Sequence, residues 1–257
     1  MRKKIILATV LTSFLALGLL AGCNNKKTED KSLTVSIAAS LKEPMKEIGD
    51  KFEKENGVKI QFNVGGSGTL KKQIVDGASV DVFISANTKY AEELVKEDYV
   101  KKDDSKKLLN NELVLIGSKD FKGDIKSLND LKNIDGKIAI GELNTVPAGQ
   151  YAKQSLDKLG IYDSLKDKLI FAKSVTNVKT YVENGETELG FVYKTDAMNL
   201  KSSKIVYTVP NNYHKPIVYE LCILKDSKEL DLSKKFSDYL KSDESKKIFE
   251  KYGFGVN

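Results

Sequence analysis

Residues 35–52 read VSIAASLKEPMKEIGDKF, and within this stretch the pattern of a β-strand changes to that of an α-helix. Ser40 and Glu43 form an S-x-x-E capping box at the change, which predicts that Ser40 is the N-cap of the helix. One apolar helix face follows at spacings of four, three and four residues, formed by Leu41, Met45, Ile48 and Phe52. Asn56-Gly57 predicts the helix end, because glycine readily adopts the left-handed conformation. The junction presents a hydroxyl group and free backbone N–H groups, which attract anions. The alternative is that Ser40 only caps its own helix.

The same kind of junction recurs three times further along the chain. Each places a small or hydroxyl residue at the start of a predicted helix: Ser67 after the strand 58–64, Ala148 after the strand 136–141, and Val175 after the strand 169–172. In open α/β sheets ligands bind beyond the carboxyl ends of the strands, where helices begin. Each helix start acts as about half a positive charge, so four of them aimed at one point would match a dianion. Tyr193, at the end of the strand 190–193, would add a hydroxyl donor.

Strands and helices alternate through the whole chain, which predicts an α/β fold with largely parallel sheets. The 257 residues carry a net charge of +6, and three of these positive charges lie in residues 1–22, which hold no acidic residue. The remaining charge is spread over many lysines and glutamates. We therefore expect no nucleic-acid partner, because such binding needs a clustered basic surface.

The first 23 residues have the features of an export signal. Arg2-Lys3-Lys4 precedes an apolar run from Ile5 to Leu20, and Leu20-Ala21-Gly22-Cys23 follows. This ending resembles the lipobox of bacterial lipoproteins, which implies cleavage after residue 22, lipid on Cys23 and a tether over residues 23–32. The alternative is an uncleaved membrane helix, for which the apolar run is a little short.

The sequence gives no sign of a catalytic or metal-cation site. His214 is the single histidine, and it is expected in an exposed loop. A Ser–His–Asp set would need this histidine, so no such set is expected. Cys222 lies in an apolar strand pattern and is expected to be a buried, unpaired thiol. The strand-to-helix junctions hold no cluster of His, Cys or carboxylate residues.

Seven short motifs together resemble the molybdate-binding proteins of ABC importers, in order and spacing, from residue 33 to the C-terminus. They are AAS (38–40), GSGTL (66–70), DVFISA (81–86), VPAG (146–149), GFVY (190–193), Asp196-Ala197 and KYGF (251–254). The resemblance implies a two-lobed periplasmic-binding-protein fold of type II, each lobe a mainly parallel sheet flanked by helices. Lobe 1 would comprise residues 33–112 and 219–257, and lobe 2 residues 113–218.

The resemblance also implies the site and its role. The oxyanion would be bound by five residues: Ser40, Ser67, Ala148, Val175 and Tyr193. Molybdenum would be held only as molybdate, tungstate would bind as well, and neither a cofactor nor an enzymatic activity is implied. The protein would be a monomer, held outside the membrane by its lipid, that passes the anion to an ABC permease and its ATPase. The alternatives are the same fold binding another oxyanion such as sulfate, and a lipid-anchored interaction module without a small ligand.

Two positions depart from the family pattern. Gly66 stands where the family has a second serine, which removes a hydroxyl group and leaves the backbone N–H. Residues 141–145 read GELNT, where the family more often has Asp-Pro or Asn-Pro. We expect this segment to change the aim of the loop before VPAG.

Overall fold

A computed structural model describes residues 31–256. The described strands are β1 (Ser32–Ala38), β2 (Lys59–Gly65), β3 (Val82–Ser85), β4 (Val100–Asn111), β5 (Leu113–Ser118), β6 (Ile138–Gly141), β7 (Leu169–Ala172), β8 (Leu189–Tyr193), β9 (Ser203–Thr208), β10 (Ile217–Leu224) and β11 (Gly255–Val256). The described α-helices are α1 (Lys42–Asn56), α2 (Ser67–Val75), α3 (Thr88–Lys96), α4 (Pro147–Lys158), α5 (Tyr162–Leu165), α6 (Val175–Glu183), α7 (Leu230–Tyr239) and α8 (Asp243–Lys251).

The strands form two sheets, which confirms the predicted α/β class, but the prediction that these sheets are mainly parallel is wrong. The first has the order β11–β4–β10–β3–β1–β2, and the second has the order β7–β6–β8–β5–β9. Both sheets are mixed: β1 runs parallel to β2 and β3, whereas β10 runs antiparallel to β3 and β4. In the second sheet β6 is parallel to β7 and β8, and β5 is antiparallel to β8 and β9. The strands on each side of the two crossings between the sheets, β4 into β5 and β9 into β10, all form antiparallel pairs.

The opening stretch of the sequence forms the centre of the first sheet and the helix on it. The predicted apolar face of α1 is completely buried: Leu41, Met45, Ile48 and Phe52 are each 0% exposed. Burial of such a side chain contributes about 1.5–3 kcal/mol to the free energy of unfolding. Phe52 also contacts Phe236 of α7 edge to face, with ring centroids 5.0 Å apart. This contact packs the C-terminal helix α7 against the core that surrounds α1.

One predicted cap differs in the structure. Ser40 is not the N-cap of α1; it lies in a 3-10 turn, Ala39–Leu41, that precedes the helix, and its hydroxyl group makes no cap hydrogen bond. The reason is that this hydroxyl is bonded to Tyr219, 2.7 Å away. The predicted helix end is confirmed, since Gly57 adopts a left-handed φ of 62°.

The structure also decides two other expectations, those on Cys222 and His214. Cys222 is a free, buried thiol, as predicted. His214 is not exposed; only 9% of it is accessible, because its ring packs edge to face on Tyr151. The predicted signal peptide, Cys23 and most of the tether lie outside the described residues. Among residues 31–256, no helix combines the length and the apolarity that a bilayer crossing requires.

Candidate functional site

The five predicted site residues line one small cavity. Ser40 and Ser67 follow β1 and β2 of the first sheet, Ala148 and Val175 follow β6 and β7 of the second, and Tyr193 ends β8. About 10 Å³ of the cavity is open to the centre of a water-sized sphere, which is about the space that one water molecule needs. All the side chains that line it are uncharged at neutral pH. The cavity is therefore a small space between the two sheets without a charged side chain in its lining.

Ser67 is positioned to donate its hydroxyl proton into this cavity. It is the first residue of α2 and is 0% exposed. Its Oγ accepts a hydrogen bond from the backbone N–H of Ala86 at 3.1 Å. Because the oxygen already acts as an acceptor, the hydroxyl proton remains available for a ligand.

Ser40 is oriented by a residue that the sequence analysis missed. The hydroxyl oxygen of Tyr219 accepts a hydrogen bond from Nδ2 of Asn111 at 3.2 Å, and it lies 2.7 Å from Oγ of Ser40. Because the hydroxyl oxygen of Tyr219 accepts from Asn111, the hydroxyl proton of Tyr219 can be donated to Ser40. Burial raises the pKa of Tyr219 far above its ordinary value, so the phenol keeps that proton. The proton of Ser40 is then free to point into the cavity.

Tyr193 presents a buried donor without a partner. The residue is 1% exposed, and its hydroxyl oxygen has no hydrogen-bond partner within the described part of the chain. Burial raises the pKa of this phenol well above its ordinary value, so it remains neutral and able to donate. A buried hydroxyl without a partner costs about 1–3 kcal/mol, and a ligand acceptor in the cavity would remove that cost.

Backbone N–H groups of two helix starts complete the donor set. Ala148 is the second residue of α4, after Pro147, and Val175 is the first residue of α6. The first N–H groups of a helix have no carbonyl partner within the helix. Ser174, the N-cap of α6, accepts from the N–H of Asn177 at 3.1 Å and leaves the N–H of Val175 to the cavity. Both helix starts also favour a negatively charged ligand.

A second, larger cavity adjoins the first and shares Ser40 with it. Its volume is about 190 Å³, and its charged lining includes Lys42, Lys179 and Asp196. The Oδ2 atom of Asp196 is buried and has no partner among the described residues. Burial raises the pKa of this carboxyl group to about 7, although nearby Lys179 acts to lower it. This cavity therefore places a titratable carboxyl group beside the site.

The single histidine is not part of the site. Nδ1 of His214 donates to the carbonyl of Lys215 at 2.8 Å, and the ring does not line the small cavity. Within residues 31–256, no group of three or more His, Cys, Asp or Glu side chains could hold a metal ion. The site is thus a set of neutral donors around a small space.

The family model of the bacterial extracellular solute-binding proteins matches residues 33–255. The chain belongs to this family. It is 42% identical to the "Putative ABC transporter substrate-binding lipoprotein YvgL" of Bacillus subtilis, over 98% of both chains. It is 37% identical to the molybdate-binding protein ModA of Escherichia coli, over 92% of this chain and 93% of that protein.

A solved structure shares the architecture. The periplasmic molybdate-binding protein of Azotobacter vinelandii superposes with a TM-score of 0.79 at 25% identity, over 88% of this chain and 99% of that chain. The two sheets are therefore the two lobes of a periplasmic-binding-protein fold, as predicted. The small cavity is lined by both lobes.

Proposed function

We propose that this protein captures molybdate, and tungstate as well, between its two lobes and delivers the anion to an ABC importer. The observation that carries the proposal is that Ser40, Ser67, Ala148, Val175 and Tyr193 line one small cavity free of charged side chains. The relatives named for molybdate binding, which cover nearly the whole chain, support the choice of anion.

The chemistry of the donor set suits a tetrahedral dianion. Neutral O–H and N–H groups from several directions satisfy its oxygens, and the helix starts favour its charge without a lysine or arginine. Hydrogen phosphate would bring a donor of its own into a set of donors, which leaves a polar group without a partner. Sulfate is smaller than molybdate, so donors held at fixed positions would be stretched from its oxygens.

The boundaries and the anchoring belong to the same proposal. Lobe 1 comprises residues 33–112 and 219–257, and lobe 2 comprises residues 113–218. Lipid on Cys23 holds the monomeric protein at the outer face of the membrane, where its partners are the permease and the ATPase of the importer. The protein binds the anion without changing it, because the donors around the cavity include no nucleophile paired with a base.

Calorimetric titration of the purified full-length chain in a mild detergent tests the proposal. Molybdate, tungstate and sulfate are titrated in turn, and then molybdate again in excess sulfate. We expect one-to-one binding of molybdate and tungstate that sulfate does not displace. Tyr193→Phe removes one hydrogen bond to a charged ligand and is expected to weaken binding about tenfold or more.

Each result has a different consequence. Sulfate binding as tight as molybdate binding would keep the site and change the substrate. Absence of heat and of thermal stabilisation with all three anions would reject the transport function and leave a lipid-anchored interaction module. Tyr193→Phe binding as tightly as the wild type would remove Tyr193 from the site.

A further inference from the structure

Beside the cavity, a chain of side-chain hydrogen bonds connects the two lobes. Tyr90 of α3 donates its hydroxyl proton to the carbonyl of Asn144 at 2.9 Å and accepts from Nε2 of Gln150 at 2.5 Å. Oε1 of Gln150 accepts in turn from Nδ2 of Asn87 at 2.9 Å. Tyr90 and Asn87 belong to the first lobe, and Asn144 and Gln150 to the second. These four groups can satisfy one another only while the lobes are in contact.

Gly68 adds a backbone hydrogen bond to the same contact. Its N–H donates to the carbonyl of Thr145 across the lobes at 2.8 Å. A Cβ atom at this position would lie 2.8 Å from Cα of Thr145 and 2.7 Å from the hydroxyl of Tyr90, which is closer than Cβ atoms come. Gly68 lies inside α2, where alanine stabilises a helix better than glycine. The absence of a side chain therefore serves the approach of the other lobe rather than the helix.

Gly66 also lies close to the backbone of the other lobe. A Cβ atom there would lie 3.0 Å from the carbonyl oxygen of Thr145 and 3.2 Å from that of Lys173, both in the other lobe. The φ of Gly66 is −66°, a value that any residue can adopt. Gly66 and the 141–145 segment are the two departures from the family pattern, and the structure places them against each other. A side chain at position 66 would require the carbonyl groups of Thr145 and Lys173 to shift by a few tenths of an ångström.

We propose that these contacts form an interlobe latch, made by Gly66, Gly68, Asn87 and Tyr90 on one lobe and by Asn144, Thr145 and Gln150 on the other. The latch stabilises the closed form through groups that, apart from Gly66, do not line the cavity. In an open form, water would bind the same polar groups, so the latch contributes only after closure. It therefore determines how slowly the bound anion leaves. This inference rests on the proposed function, because it assumes that closure over an anion is the event that matters.

Tyr90→Phe is the first test. It keeps the ring and leaves the carbonyl of Asn144 and Nε2 of Gln150 without their partner in the closed form only. We expect molybdate to dissociate about tenfold faster in stopped-flow measurements, with an association rate within twofold of the wild type. Tyr99→Phe is the matched control, since Tyr99 belongs to the first lobe and its hydroxyl lies 3.5 Å from the carbonyl of Val75 in the same lobe.

Gly68→Ala is the second test, and it does not depend on the folding of the first variant. Alanine suits α2 but holds Thr145 away, so we expect weaker molybdate binding and no loss of helix content by circular dichroism. Gly66→Ser restores the family's serine. We expect it to weaken binding, although it adds a hydroxyl group, because its Cβ would press on the carbonyl that Gly68 must reach.

The outcomes separate the latch from the proposed function. If the wild type binds molybdate and both Tyr90→Phe and Gly68→Ala dissociate at the wild-type rate, the latch is refuted and the transport function stands. If the wild type binds none of the anions, the transport function fails, and small-angle scattering of the anion-free proteins decides about the latch. A larger radius of gyration for Gly68→Ala than for the wild type and Tyr99→Phe would support the latch, and equal radii would refute it.

Discussion

The Ser40 hydroxyl depends on a residue that lies 179 positions away in the chain, Tyr219. Ser40 and Ser67 could be predicted because each follows a strand and opens a helical turn, which is a local pattern. Tyr219 could not, because it lies inside an apolar strand pattern and its sequence neighbours reveal only burial. The two residues meet because β10 enters the first sheet beside β3, whose neighbour β1 leads to Ser40. A partner that is brought in by sheet order leaves no signal in the local sequence.

Tyr219→Phe is expected to weaken molybdate binding about fivefold, because the proton of Ser40 is then no longer directed into the cavity. A double-mutant cycle measured by calorimetry checks the route of this effect. In a Ser40→Ala background the same change should have little further effect. Equal losses in both backgrounds would mean that the hydroxyl group of Tyr219 acts by another route, for example through its hydrogen bond with Nδ2 of Asn111.

At the scale of elements, the sequence predicts the strands and helices that lead to the site, and it does not predict two strands elsewhere, β4 and β11. The strands that end at the cavity are apolar and the helices after them have one apolar face, so their periodicity is clear. β4 reads VKKDDSKKLLNN and has no such period. It is a strand because its backbone pairs with β10 and β11 on either side. Tertiary pairing, which the local sequence does not reveal, overrides the low strand propensity of its charged residues.

The N-cap of α6 provides a prediction at this scale. Ser174→Ala removes the hydrogen bond to the N–H of Asn177 and should lower the free energy of unfolding by about 1 kcal/mol. It should also weaken molybdate binding severalfold, because a frayed first turn no longer holds the N–H of Val175 in the cavity.

Ser242→Ala is the control for that measurement. Ser242 caps α8 in the same way, accepting from the N–H of Ser245 at 3.2 Å, but α8, unlike α6, contributes no residue to the lining of the cavity. Urea unfolding should give similar losses of stability for the two variants, and calorimetry should give weaker binding for Ser174→Ala alone. Equal affinities in both variants would show that the start of α6 does not need its cap to serve the site.

At the scale of the whole molecule, the contact between the lobes partly buries a carboxyl group, whose Oδ2 atom is inaccessible to water. Asp196 lines the larger cavity with residues of both lobes, among them Ser40 and Tyr252 of the first and Thr176 of the second. Burial raises the pKa of this carboxyl to about 7, from 3.8 in an exposed chain. Between these two pH values the folded chain keeps a proton that the unfolded chain has released.

That difference fixes the sign of a pH effect. Because the folded state binds more protons, the contribution of Asp196 to the free energy of unfolding falls as the pH rises from about 4 to 7 and stays low above 7. The Asp196→Asn variant cannot ionise at this position. The free energy of unfolding of the variant minus that of the wild type should therefore be nearly constant below pH 4 and should increase between pH 4 and pH 7. Urea unfolding of both proteins at pH 4, 6 and 8 measures this, and the other carboxylates cancel in the difference. Glu47 is the contrast, because its hydrogen bond with Lys251 lowers its pKa. The contribution of Glu47 to the free energy of unfolding would rise, not fall, as the pH rises. A constant difference between the two proteins from pH 4 to 8 would mean that Asp196 is ionised in the folded protein and that its cavity is open to water.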